Sequence, residues 1–365
     1  MKISTENFNK YAKIIEASYK KEDKRHKYLC LNFESSEASF SGEHLFGKLA
    51  FEFEFEAAEA FPSISVDKNI FLTLCSQYDT LYLNEDYEFY NGEEKFKIPL
   101  IEEEMPVPEI EENNFTSYFL TSNLIRNIKT AMNYAGSHSS VPGENFYGVS
   151  LWKNEVIAND ISQIFEAQVD EKDEDGNPID YPNIRIRGDI ARLISSVASL
   201  FPTYLFFNEE NGDVYFTIGE GEELRLTTDS ADLTTPDVFD EDHISKYKHD
   251  TSLCVEKSEI INILDFLEVF VTTVPNQQIC FRIIDEETLS VESQSDTPAN
   301  RQMALKECSE ALVGEEFWVS RSLVKKAVAS INDDFIVFQF DTDQPAFNTI
   351  GETNIERHVA TIRFV

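Results

Sequence analysis

The sequence predicts an α+β fold in three copies, each made of two helices backed by antiparallel sheets. Three observations predict it. Two kinds of amphipathic helix recur three times, the distance between the two kinds is nearly constant, and strand-like segments fill the same gaps in every copy.

The helices of the first kind cover Ser4–Tyr19, Thr121–Ala135 and Val255–Val271. In the second of these, Leu124, Ile128, Met132 and Ala135 recur at helical spacing, and Thr121 and Ser122 suit the N-cap. The helices of the second kind begin after Val66, Ile186 and Val319, each behind a short apolar run such as Ile64-Ser65-Val66 or Phe317-Trp318-Val319. In the third, Leu323, Ala327, Val328 and Ile331 form the apolar stripe. From first-kind start to second-kind anchor the chain runs 62, 65 and 64 residues.

Twenty-five residues past each anchor lies a turn signal: Asn91-Gly92, Asn211-Gly212, and Gln344 beside Pro345. Asn-Gly between alternating apolar runs predicts a hairpin, with Leu81, Leu83, Phe96 and Ile98 as the flanks in copy one. Between its two helices each copy carries strand-like sequence. These stretches are Tyr28–Phe33 and Leu49–Phe55, then Tyr147–Lys153 and Ile164–Val169, then Ile279–Ile284 and Thr288–Glu292. Acidic, proline-bearing stretches at Glu102–Asn114 and Asp229–Asp250 read as connectors. The predicted domains are therefore 1–112, 113–245 and 246–365.

Sixty-seven acidic residues against 31 basic ones give a net charge of −36, which taken alone argues against a nucleic-acid partner. The distribution reverses that reading. Lys10–Lys27, Thr121–Ala135, Asn183–Leu200 and Trp318–Ile331 hold 15 of the 31 basic residues but only 4 of the 67 acidic ones. If those segments share a surface, it is basic while the remainder repels DNA. Phosphate contacts without base readout need only well-placed Lys and Arg. The candidates are Lys10, Lys13, Lys20, Lys24, Arg25, Arg126, Lys129, Arg187, Arg192, Arg321, Lys325 and Lys326. The first-kind helix of copy three departs from the pattern, because Lys257 stands there among Glu256, Glu259, Asp265 and Glu268.

These features resemble the bacterial-type β sliding clamp, the processivity subunit of replicative DNA polymerases. Copy two carries the resemblance in L-T-S-N-L-I-R-N-I-K-T-A-M (120–132), F-Y-G-V-S-L (146–151) and V-I-A-N-D (156–160). Copy three carries it in G-E-E-F-W-V-S-R-S-L-V-K-K-A-V (314–328) and the closing H-V-A-T-I-R-F-V (358–365). The resemblance spans the whole chain and implies a non-enzymatic ring that encircles duplex DNA without sequence preference and tethers a polymerase. It implies a head-to-tail homodimer of six domains, with Phe96 and Ile98 facing Phe270 and Val271 of the second copy; as residues alone, these four read equally well as core. It also implies a pocket that takes short peptide motifs of the polymerase and the clamp loader, walled by Phe146, Ile164, Leu323, Ala346, Val359 and Ile362. Ile161-Ser162-Gln163 and Thr361 depart from the family's usual pocket residues, which would suit a phage-encoded clamp serving its own polymerase. The implied location is the cytoplasm, at the nucleoid or in an infected host cell.

Other signals lead nowhere. Gly42-x4-Gly47-Lys48 imitates a phosphate loop, but Leu49 follows where a hydroxyl is needed. Asp173-x-Asp175-Gly176 starts like a calcium loop, but Pro182 stands where the bidentate Glu belongs. No acid, base or nucleophile set surrounds Ser137-His138-Ser139. No cofactor, metal or catalytic residue is expected. The five cysteines form no C-x-x-C pair and read as reduced thiols, and no apolar run reaches the roughly 18 residues of a membrane span. The competing reading is an acidic DNA mimic or inhibitor that binds a DNA-processing enzyme through its carboxylates.

Overall fold

The computed structural model describes residues 1–17, 28–42, 47–57, 61–92, 94–98, 100–101, 114–135, 148–160, 163–173, 176–198, 202–210, 212, 214–218, 224–228, 249–272, 277–293, 298–340, 346–352, 356–361 and 363–364. The bulk of both predicted connectors, Gln344 and the segment holding Ser137-His138-Ser139 lie outside these residues. Among them the helices are α1 (Glu6–Ala17), α2 (Lys68–Gln77), α3 (Ser122–Ala131), α4 (Gly188–Val197), α5 (Lys257–Val271) and α6 (Arg321–Ser330). Each falls inside or directly behind its predicted segment, in the predicted alternation of kinds.

Local chemistry explains the helix boundaries. Asp67 caps α2 by accepting from the Ile70 N–H at 3.1 Å, and Thr121 Oγ1 accepts from the Leu124 N–H at 3.1 Å ahead of α3. In α5, Ile260, Ile263, Leu264, Leu267 and Val271 are buried at i, i+3, i+4, i+7 and i+11, a stripe that commits one face to the core. None of these helices is long and apolar enough to cross a membrane.

The chain divides into two compact units, the first of Met1–Arg126 with Asp189–Leu233, the second of Asn127–Gly188 with Thr234–Val365. The first unit holds a five-stranded sheet whose edge is Glu94–Phe96, and a nine-stranded sheet. That larger sheet passes from copy-one strands to copy-two strands where Gly47–Glu52 pairs antiparallel with Leu224–Thr228, Phe51 opposite Leu224 and Leu49 opposite Leu226. Its core is aromatic: Phe8 packs against Phe51, Phe53 and Phe71 at 5.3, 5.4 and 5.0 Å between ring centroids. The helices α1 and α2 pack together in this unit.

The second unit repeats the arrangement, again with one five-stranded and one nine-stranded sheet. Its nine-stranded sheet passes from copy two to copy three where Gln163–Gln168 pairs antiparallel with Glu356–Thr361, Ile164 opposite Val359 and Phe165 opposite His358. The two junctions join equivalent strands: the third strand after the first-kind helix in one copy meets the third strand after the second-kind helix in the next. Its core includes Phe317 stacked on Phe340 at 4.2 Å and Phe281 against Phe338 at 5.4 Å. Strand Phe335–Phe340, paired on both sides, alternates as a strand with one buried face should, with Ile336, Phe338 and Phe340 wholly buried.

Two details refine the sequence reading. Gly148, in the F-Y-G-V-S-L run, has φ +133°, and a Cβ there would fall 2.4 Å from the Ile186 carbonyl oxygen. The strand it opens, Val149–Trp152, lies against Ile184–Ile186, so only glycine lets the two backbones approach. The Asn91-Gly92 signal does mark a hairpin, but Phe89–Asn91 and Glu94–Phe96 flank it. Leu81 and Leu83 belong to the preceding strand, Thr80–Leu83, which makes its own hairpin with Phe89–Asn91. Gly212 of the second signal instead sits in the first hairpin after its helix, between Thr203–Asn208 and Val214–Ile218, while Asn211 lies outside the described residues. The constant offset of 25 residues thus joins turns that are not equivalent.

Candidate nucleic-acid interface

The helical cations differ in their surroundings. On α3, Leu124, Ile128 and Ala131 are buried while Arg126 and Lys129, three residues apart and so on one face, are exposed. On α4, Ile190, Ala191, Leu193 and Ile194 are buried and Arg192 is exposed; Arg187, just ahead of it, is half-buried. On α1, Phe8 and Tyr11 face the core and Lys10 is exposed, its Nζ 5.3 Å from the Tyr11 ring centroid. Lys13 lies on α1 with its side chain undescribed, and Lys20, Lys24 and Arg25 lie outside the described residues.

The α6 cations are engaged within their own unit. Arg321 is only 5% exposed; its Nη1 donates to the Leu264 carbonyl at 3.1 Å and its Nη2 lies 3.2 Å from Glu268 Oε2. Lys325 Nζ lies 2.5 Å from Asp265 Oδ1 and 3.6 Å from Glu268 Oε2. The hydrogen bond to Asp265 raises the Lys325 pKa. One turn of α5 therefore sets two carboxylates against two cations of α6. Sequence reading registered the acids of α5 but could not pair them, since Asp265 and Lys325 belong to different helices.

Lys326 takes a third course. Its Nζ donates to Gln163 Oε1 at 2.7 Å and to the Asn133 carbonyl, and lies 4.0 Å from the Tyr134 ring centroid. Gln163 is itself held by Asp160, through its backbone N–H at 3.0 Å and its amide at 2.6 Å. Beside them His358, 1% exposed, meets the Tyr134 hydroxyl with Nδ1 at 2.7 Å and Ser330 Oγ with Nε2 at 3.3 Å. Burial holds the Lys326 ammonium down at about 8, although Asp160 pulls upward. This polar knot ties α6 and the end of α3 to the junction between Gln163–Gln168 and Glu356–Thr361. It was not foreseen from the sequence, because its members are scattered from Asn133 to His358.

The other expected surfaces are placed as follows. Of the peptide-pocket residues, Ile164 and Val359 are cross-strand partners at that same junction. Ala346 lies on the neighbouring strand opposite Thr361, and Leu323 is partly buried against the copy-three core. Phe146 and Ile362 lie outside the described residues. Of the interface residues, Ile98 and Val271 are 3% and 0% exposed and serve as core in their own units. Phe96 is half-buried against Tyr78 at 5.5 Å, and Phe270 against Phe266 at 5.2 Å. The sequence reading overlooked Val269, which is 77% exposed on α5, and the sheet edge Asn300–Ala304. Arg301 of that edge stacks over Phe266 at 4.2 Å, joining strand and helix into one face.

No protein-family model and no curated protein matches the sequence. Solved structures do. The DNA polymerase III subunit beta from Pseudomonas aeruginosa superposes with a TM-score of 0.82 at 12% identity, covering 100% of both chains. The DNA polymerase sliding clamp from Caulobacter crescentus gives 0.78 at 12%, again over 100% of both. A Pseudomonas aeruginosa sliding clamp bound to griselimycin gives 0.79 at 12%, over 100% of this chain and 99% of that one. From the first residue to the last, this chain has the fold of the bacterial DNA polymerase III β sliding clamps.

Proposed function

We propose that the chain is a DNA sliding clamp: two copies close head to tail around duplex DNA and hold a replicative polymerase on it. The observation that carries the proposal is the end-to-end match to clamp structures, with nothing left over in either chain. Three domains per chain, 1–112, 113–245 and 246–365, account for the repeated helix pairs and for the two equivalent sheet junctions. A ring of this kind has no chemistry to perform. It tethers by topology, and Lys10, Arg126, Lys129 and Arg192 supply the sequence-independent phosphate contacts. Contacts of that type are salt-sensitive and permit sliding, while the linked polymerase is kept at high effective concentration.

Ring closure is assigned to two of the sheet edges, Glu94–Phe96 of one copy and Asn300–Ala304 of the other, each a terminal strand of its five-stranded sheet among the described residues. Strand addition satisfies backbone groups that each edge leaves open. Phe96 on one side and Phe270 with Val269 on the other supply apolar contact. Such a heterologous contact closes into a ring when its rotation fits. The junction carrying Ile164 and Val359 is the proposed site for linear peptides of polymerase and loader.

The test is topological. On nicked circular DNA, after loading by an ATP-driven loader, the protein is expected to remain bound in high salt and to leave once the circle is cut. Equal retention on the linear product would overturn enclosure.

A further inference from the structure

The acids of α5 bear on how tightly such a ring can hold DNA, an inference that rests on the clamp reading. Asp265 and Glu268 lie three residues apart on one face of α5, and Arg321 and Lys325 four apart on one face of α6, so opposite charges meet between packed helices, Arg321 with Glu268 and Lys325 with Asp265 and, at longer range, Glu268. The pairs differ in mobility. The Arg321 side chain is 6% exposed and anchored to the Leu264 carbonyl, so its bond to Glu268 is part of the packing. The Lys325 and Asp265 side chains are 38% and 49% exposed, so water and an incoming anion can reach both.

We propose that Asp265 is a built-in competitor for the DNA backbone: it occupies Lys325, and a phosphate gains that lysine only by displacing the carboxylate. Exposed ion pairs are weak enough to exchange, and a phosphate passing along the wall is a chemically equivalent partner. The exchange only moves the Asp265 carboxylate aside, and Glu268 Oε2 also lies 3.6 Å from the lysine, so net attraction of a phosphate to this point of the wall is small. Copy three would then contribute low grip, while α3 and α4, where Arg126, Lys129 and Arg192 are exposed, contribute most of the hold. A wall graded in this way lets DNA move without a deep electrostatic minimum.

The experiment is a two-residue cycle on the full-length dimer, using a short open-ended DNA duplex as probe and fluorescence anisotropy across a salt series. Asp265→Asn is expected to tighten binding about threefold and to steepen the plot of log affinity against log salt by about one unit, the signature of one additional phosphate contact. In a Lys325→Gln background the same Asp265→Asn change is expected to do nearly nothing. An unchanged affinity for Asp265→Asn, or an equal gain with and without Lys325, overturns the assignment, the latter because it reports only the removal of a distant negative charge. Retention of the wild type on nicked circular DNA separates the two claims. Retention with a failed cycle removes the competitor alone, and no retention removes the clamp reading and the competitor with it.

Discussion

His358 Nδ1 lies 2.7 Å from the Tyr134 hydroxyl, joining two side chains that are 1% and 2% exposed and 224 residues apart. The bond sits where copy-two and copy-three strands merge into one sheet, with the rings of Tyr134, Phe165 and His358 packed within 5.6 Å of one another. Tyr134→Phe keeps the ring and deletes the hydroxyl. It is expected to lower unfolding free energy by about 1–3 kcal/mol, the cost of leaving the buried His358 nitrogen without this partner. Chemical unfolding followed by near-ultraviolet circular dichroism measures it, and an unchanged midpoint would show the bond to be dispensable.

Lys326 predicts a pH dependence. Burial lowers its pKa from 10.5 to about 8. Between those values the folded chain binds fewer protons at this site than the unfolded chain, so the site's contribution to stability rises with pH across that window. The gap in unfolding free energy between wild type and Lys326→Met is expected to move in favour of the wild type from pH 8 to 10.5. A gap that stays flat would mean that the ammonium keeps its ordinary affinity for protons inside the fold.

Much of the architecture was legible because its signals are local. Thr121 announces a helix start within three residues of the group it caps, and the apolar stripes of α3, α5 and α6 each lie within a few turns. The long-range features were not legible for the same reason. No local pattern shows that Gln163–Gln168 will pair with Glu356–Thr361, or that Asp265 will meet Lys325. Charge counting found the basic segments but treated every lysine as available, whereas packing consumes Arg321 and Lys326. Ile98 and Val271 illustrate a further limit: an apolar residue near a helix or strand end reads alike whether it faces a core or a second protein.

Val269 offers a direct test of ring closure. Its 77% exposure means that Val269→Lys should leave the protomer's stability within about 0.5 kcal/mol, as surface substitutions do. In the proposed ring the same lysine is buried against the second copy. Light scattering is expected to report twice the 41.8 kDa chain mass for the wild type and single-chain mass for the variant.

Arg126 and Lys129 separate the clamp from an acidic mimic. Reversing both to Glu is expected to weaken duplex binding on every sequence alike and to flatten the salt dependence by about two units. A mimic working through its carboxylates would keep its partner binding in that variant.

The shared sheets have a consequence for dissecting the chain. A fragment ending at residue 245 would strip Glu356–Thr361 from Gln163–Gln168 and leave a six-residue strand with bare amides and carbonyls along one side. Raw borders of that kind recruit other strands and clump. The repeats are thus woven at their margins rather than strung like beads, and a copy excised at its sequence boundary would need a substitute neighbour before it could stay in solution.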